Sequence, residues 1–423
     1  MTSIWIALAS SVLTLLTFII LQNLASGEQK LAFRIDGAPR VDEPRFFRLV
    51  SHLLGPPLAT ENRIRTLRNG DEIFPAMLAA IRQASRTITF ETYIYWSGEI
   101  GREFAAALSE RARSGVKVHV LLDWVGSAKL DKTLLDEMVE SGVEVERYRP
   151  LRWFHLNRMN CRTHRKILVV DGRIGFIGGV GIADQWRGDA QSSDQWRDTH
   201  FLLEGPVVAQ LQSAFTDNWN KTHPGVLHQE DYFPELDPIG RVTAQVFKSS
   251  PREGASSARL LYLLSIASAR TRILIANSYF VPDEDCIEAL VQARHRGVQV
   301  EIIVPGRHID TTVTRRASRA LWGKLLEAGV SIHEFQPTMF HCKILVVDDR
   351  WTSVGSTNFD NRSFRLNDEA NLNVLDVDFA EEQARHFAAD KARSRRITWD
   401  EWKHRPLLTK FTERCASLLR SQI

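Results

Sequence analysis

Cysteine is scarce in this chain, and what there is stands apart: Cys161, Cys286, Cys342 and Cys415 form no C-x-x-C pair and no zinc-ligand spacing. A disulfide framework and a cysteine-based metal centre are therefore not expected, nor any other cofactor; ordinary buried thiols are the reading. An excess of charge of one sign is missing too. Lys and Arg number 54 against 51 Asp and Glu, a net +3 that is modest for a chain whose partner would be a nucleic acid. No long low-complexity linker interrupts the sequence, and the boundary between two lobes is expected in the polar, Pro-punctuated stretch from Thr222 to Pro238. What is present is a globular composition, 423 residues with 44% hydrophobic, room for roughly two to three domains with substantial cores.

Long apolar runs are also absent, with one exception. Ile4 to Leu21 is an uncharged, largely apolar run of 18 residues, about the minimum for a membrane span. No Lys or Arg precedes it, whereas Lys30 and Arg34 follow, which favours a cytoplasmic downstream end. A cleaved leader is the alternative, with Ala25-Ser-Gly27 as its small-residue site, but the missing basic n-region argues for a retained anchor. Residues 1–30 are thus expected to be a single-pass membrane anchor.

The most informative feature is a string that occurs twice: His164-Arg-Lys166 with Asp171 beyond it, and His341-Cys-Lys343 with Asp348 beyond it. Side chains two apart on a strand share a face, so His and Lys point together in each copy. The runs Ile167-Leu-Val-Val170 and Ile344-Leu-Val-Val347 that follow read as strands buried on both sides. An imidazole can serve as nucleophile, base or acid near neutrality, and the ammonium beside it suits a phosphate oxygen. If a pseudo-twofold axis unites the copies, one His can attack phosphorus while the other protonates the leaving oxygen.

The repeat extends beyond the motif. Arg86–Tyr95 reads as a strand, Glu103–Ser114 as a helix and Gly115–Asp123 as a turn into a strand; Arg272–Phe280, Asp283–His295 and Gly297–Pro305 repeat the pattern. Strands alternating with helices imply an α/β fold with two pseudo-symmetric lobes, each a mixed sheet flanked by helices, over residues 50–225 and 240–390.

These strings resemble the phospholipase D superfamily and, within it, bacterial cardiolipin synthases, from about Leu67 to Trp402. Supporting segments are Phe90-Glu-Thr-Tyr-Ile-Tyr95, Asn160-Cys-Arg-Thr-His-Arg-Lys166, Trp196-Arg-Asp-Thr-His200, Asn277-Ser-Tyr-Phe280 and Gly355-Ser-Thr-Asn-Phe-Asp-Asn-Arg-Ser-Phe364. The resemblance implies catalytic roles for His164, Lys166, His341 and Lys343, with His164 as nucleophile and His341 as acid. It implies that Asp198 and Glu369 orient the imidazoles and that Asn358 binds phosphate, helped by Ser356 and, where the first half has Gly181 in place of Asn358, by Gly179 and neighbouring N–H groups. Asp171 and Asp348 complete the catalytic motif, yet their place at the far strand end suits support of the fold. The implied reaction joins two phosphatidylglycerols into cardiolipin through a phosphohistidine, releasing glycerol. Hydrolysis of phospholipid is the alternative, and a superfamily nuclease is a further one, for which Arg315, Arg316 and Arg319 could contact a phosphate backbone. The partners expected are an anionic phospholipid and the membrane surface, with no nucleic acid. The basic segment 391–423, with Trp399, Trp402 and Phe411, either lies on anionic headgroups or packs its Trp residues on the second lobe.

Overall fold

A computed structural model describes residues 35–150, 160–251 and 257–422, with isolated positions before residue 35. The run from Ile4 to Leu21 lies mostly outside these residues; among the described residues no helix is long and apolar enough to cross a membrane.

Helix α1 (Pro44–Leu53) leads into a first half made of β1 (Ala59–Arg68), α2 (Asn69–Gln83), β2 (Thr87–Thr92), α3 (Glu99–Arg113), β3 (Lys117–Asp123), α4 (Lys132–Glu140), β4 (Glu144–Tyr148), β5 (Ile167–Val170), β6 (Ile174–Gly178), β7 (Thr199–Glu204) and α5 (Val207–Trp219). The second half repeats it: β8 (Val242–Ser249), α6 (Ser257–Ser268), β9 (Arg272–Asn277), β10 (Phe280–Val281), α7 (Glu284–His295), β11 (Gln299–Pro305), α8 (Thr312–Glu327), β12 (Ser331–Phe335), β13 (Lys343–Val347), β14 (Trp351–Gly355), β15 (Phe359–Asp360), α9 (Asn361–Arg365), β16 (Glu369–Leu375) and α10 (Val377–Ala392). The chain closes with β17 (Ser394–Ile397), α11 (Trp399–Lys403) and α12 (Leu407–Ser417).

The expected lobes share one sheet. Its order is β4-β3-β2-β5-β6-β7-β1-β8-β16-β14-β13-β9-β11-β12-β17, so each half runs through equivalent strands outward from the centre. The first strands of the halves, β1 and β8, pair antiparallel there. Outer strands β2, β3 and β4, like β9, β11 and β12, are parallel, as βαβ crossovers require, while the motif strands β5 and β13 run antiparallel to β2 and β9. Every residue of β5 and β13 is buried, which accounts for their unbroken apolar runs. Helix-to-strand turns recur at Gly115 and Gly297, whose φ values of 91° and 88° would strain any residue with a Cβ.

Residues 394–397 add β17 to the second half's edge of the sheet, where it pairs antiparallel with β12. Helix α1 also serves the second half, its Phe46 meeting Trp351 edge-on at 5.1 Å.

Candidate active site

Each motif histidine precedes a central strand, and the other half holds it there. Thr163 forms a parallel bridge with Asp368, and His164 donates its backbone N–H to the Asp368 carbonyl at 2.8 Å. Across the pseudo-twofold, Arg197 bridges to Phe340 and His341 donates to the Arg197 carbonyl at 2.7 Å. Asp198 and Glu369 follow these two anchor residues and head β7 and β16, so the pairing of carboxylate with imidazole is crossed. Nδ1 of His164 lies 3.1 Å from both Glu369 oxygens, and Nδ1 of His341 lies 2.7 Å from Asp198 Oδ2. Each acid serves the histidine of the half it does not belong to. With Nδ1 facing a carboxylate, the proton is assigned to that nitrogen and Nε2 carries the free lone pair.

The ammonium groups share this space. Lys166 and Lys343 each donate to their own histidine's carbonyl at 2.7 Å. Lys343 Nζ also stands 3.1 and 3.2 Å from the ring nitrogens of His341 and donates to Ser278 Oγ at 2.7 Å. At the equivalent place in the first half stands Tyr93, with Lys166 Nζ 5.6 Å from its ring centroid and His164 edge-on at 5.3 Å.

All six titratable groups are buried, and they act on one another across the halves. Burial pushes His164 down to about 4; Glu369 opposes this, and both lysines lower it further. His341 is pushed to about 3, by burial first and then by Lys343. Lys166 falls to about 7 through burial, with Lys343 reinforcing the fall, and burial lowers Lys343 as well. Burial opposes the charge on Asp198 and Glu369, but the imidazole facing each leaves both below the usual carboxylate range. Two cations forced together with two neutral imidazoles suit a bound phosphodiester anion.

The sequence-derived residues divide into those that meet at this centre and those that do not. His164, Lys166, His341, Lys343, Asp198 and Glu369 meet. Asn358 borders them: its Oδ1 accepts from Ser278 Oγ at 2.8 Å, while its side-chain nitrogen has no partner among the described residues. Gly181, which replaces it in the first half, leaves no room for a side chain because Ile94 stands where a Cβ would go. Ser356 and Gly179, expected at the phosphate, are otherwise engaged. The Ser356 hydroxyl donates to Glu369 and its N–H to the Ala370 carbonyl at 3.0 Å. The Gly179 N–H goes to the Thr199 carbonyl at 3.3 Å, and a Cβ at 179 would collide with the Asp198 carboxylate. Both positions seat an acid rather than face phosphate. Where Ser356 and Ser363 hold Glu369, Trp186 Nε1 holds Asp198 at 3.0 Å.

Asp171 and Asp348 lie at the far strand ends. Asp171 accepts the backbone N–H groups of Ser85, Arg86 and Thr87, with Arg86 at 2.7 Å; Asp348 accepts those of Arg270, Thr271 and Arg272, with Arg270 at 2.7 Å. Two of the arginines weighed for a nucleic-acid backbone are spent inside the protein, Arg315 and Arg319 both pairing with Glu334 at 2.7 Å.

Several residues had gone unassigned. Ser278 and Tyr93 end the equivalent strands β9 and β2, so the repeat itself carried that signal. Arg165 is wholly buried and spans the halves, donating to the Ala214 carbonyl at 2.6 Å and the Glu369 carbonyl at 3.2 Å; its counterpart is Cys342, and nothing in the repeat marks it. Trp186 lies in a short turn and tilts onto Trp196 at 4.4 Å, both rings walling His341.

Comparison with known proteins agrees with this architecture. The family described as "Cardiolipin synthase, PLD-like domain" matches residues 77–219 and 262–391. The cardiolipin synthase of Geobacillus kaustophilus is 36% identical over 366 residues, 86% of this chain and 73% of that protein. Cardiolipin synthase A of Pseudomonas fluorescens is 34% identical over 368 residues, 86% of this chain and 75% of that protein. Among solved structures, the phosphatidylserine synthase of Haemophilus influenzae is similar with a TM-score of 0.68 at 13% identity, over 89% of this chain and 99% of that one, a likeness of fold. Two repeats around one crossed His–carboxylate centre, and relatives at this identity along most of the chain, establish that it belongs to the cardiolipin synthase family of phospholipase D-like enzymes.

Proposed function

We propose that the protein is a phosphatidyltransferase that makes cardiolipin from phosphatidylglycerol through a phosphohistidine. The observation that carries this reading is the crossed pair of imidazoles, each with its Nδ1 on a carboxylate, in one buried centre with two ammonium groups. In the first step Nε2 of His164 attacks the phosphorus of one phosphatidylglycerol. The bond from phosphorus to the headgroup glycerol breaks, and His341, which enters this step as the imidazolium that Asp198 and the bound phosphodiester anion stabilise, gives that oxygen its Nε2 proton. Lys166, Lys343 and the free amide of Asn358 offset charge on the non-bridging oxygens. In the second step a headgroup hydroxyl of another phosphatidylglycerol passes its proton to His341 and attacks phosphorus. The P–N bond breaks, cardiolipin leaves and His164 is restored.

His164 suits the nucleophile because its free nitrogen has no hydrogen-bond partner among the described residues, whereas Lys343 crowds both nitrogens of His341. The apolar run Ile4–Leu21 suits a tether that keeps the site beside its lipid. The test is incubation of the purified full chain with phosphatidylglycerol vesicles: cardiolipin and glycerol should appear in equal amounts. Phosphatidic acid as the sole lipid product would make the enzyme a hydrolase, and cleavage of single-stranded DNA without lipid turnover would overturn the reading.

A further inference from the structure

Helix α12 is amphipathic in the opposite sense from an ordinary surface helix. Against the body of the protein it turns Thr409, Thr412, Glu413 and Ala416, with Ala416 packed on Val281 and Ala317. Glu413 is buried there and pairs with Arg319 at 3.0 Å and Arg405 at 2.6 Å. Leu408, Phe411, Cys415 and Leu418 recur at the spacing of one helical stripe and face outward, and Leu407 adjoins them. Leu407, Leu408, Phe411 and Leu418 are 82, 75, 66 and 80% exposed. An apolar stripe of this kind is ordinarily what a helix buries.

Its surroundings identify what would cover it. Lys403, Lys410, Arg414 and Arg420 flank the stripe, and Glu413, the sole acid in residues 403–422, is turned inward and already paired. The accessible charge is therefore positive throughout, which fits an anionic lipid surface and opposes face-to-face docking of two copies. The two halves of the basic C-terminal segment do different work: Trp399 and Trp402 pack on the second-half core, with Trp402 Nε1 on the Arg319 carbonyl at 2.7 Å, and hold the helix in place.

The helix is also tied to the active centre. Beyond it, the Arg420 carbonyl accepts from Asn361 at 3.1 Å, the Gln422 carbonyl accepts from Arg362 at 3.2 Å, and the Gln422 side chain accepts from Asn160. Asn361 and Arg362 follow Asn358 in sequence, and Asn160 precedes His164 by four residues. Val281, under Ala416, lies two residues past Tyr279, whose ring stands 6.2 Å from His341.

We infer that the outward stripe of α12, with its cationic border, is the surface by which the protein lies on an anionic bilayer, seating the leucines and Phe411 among the acyl chains beside the catalytic centre. The inference rests on a lipid being the substrate, and its test separates the two. The full chain in the Cys161→Ser background is labelled at Cys415 with an environment-sensitive fluorophore and reconstituted into phosphatidylglycerol-containing vesicles. Blue-shifted emission, quenched by spin-labelled lipid, is expected; emission typical of water overturns the inference. A blue shift in detergent that grows with protein concentration, without lipid, would assign the stripe to a second copy and overturn it as well. Leu408→Ser with Phe411→Ser should lower turnover on vesicles by about tenfold or more while leaving turnover of short-chain, monomeric phosphatidylglycerol unchanged. Equal turnover on vesicles by this variant and the parent overturns the inference. Failure of the parent to turn over the short-chain lipid counts instead against the proposed function.

Discussion

At the scale of the residue, the crossed pairing decides what each acid does. A carboxylate on Nδ1 fixes the tautomer and stabilises the imidazolium that forms as a proton is taken up, so replacing it by an amide leaves the shape and removes the charge. Glu369→Gln and Asp198→Asn should each lower kcat by about 10²- to 10⁴-fold with the fold retained, checked by initial rates and circular dichroism. Lys166 gives the reaction a pH signature. Its folded pKa of about 7 means that it is charged below that pH and neutral above it. Since kcat/KM reports the free enzyme, kcat/KM for the anionic lipid should fall as pH rises through about 7, and Lys166→Arg should flatten that limb even if its ceiling is lower. A parent profile flat from about pH 6 to 9 would contradict the shift.

At the scale of the element, the motif strand carries the His-Lys pair at one end and fold support at the other. Asp171 adopts φ 52° and Asp348 φ 51°, and each gathers three consecutive backbone N–H groups at the start of the neighbouring strand. Without the carboxylate those donors lose charged acceptors, so Asp171→Ala and Asp348→Ala should each cost about 2–4 kcal/mol, read by denaturant unfolding. The rate of the folded fraction should stay within about twofold, because nothing at the catalytic end moves. This is where elements were most legible in the sequence. Observed strands β2, β3, β9 and β11 fall inside the expected segments, because period, turn glycines and β-branched runs all agreed there. The short pieces β10, β15 and the turn bearing Trp186 were not legible, since a bridge of two residues has no period to read.

At the scale of the whole molecule, uniting two halves around one centre buries histidines that would titrate near 6.5 in an unfolded chain. His164 sits at about 4, and His341 and His200 at about 3, each lowered first by burial. A histidine lowered in this way contributes stability that is whole above the unfolded value. That stability is lost as pH falls toward the folded value, at about 1.4 kcal/mol per pH unit for each group. The melting temperature should therefore drop markedly between about pH 6.5 and 4. His200 offers the check, because neither ring nitrogen has a hydrogen-bond partner among the described residues and its counterpart in the second half is Asn371. His200→Asn should be less acid-sensitive than the parent, and an identical pH dependence of melting would refute the assignment.

The sequence by itself determined that this protein is a duplication with one His-Lys pair per half, because strand periodicity and a repeated string are local properties that no packing can rewrite. Only the tertiary structure decided which acid serves which histidine. His164 and Glu369 lie 205 residues apart and His341 and Asp198 lie 143 apart, and the pairing follows from a pseudo-twofold that docks each motif against the other half's strand. It also decided that Ser356 and Gly179 seat carboxylates and that the stripe of α12 faces outward, since a sequence specifies an apolar face but the neighbours available decide which way it turns.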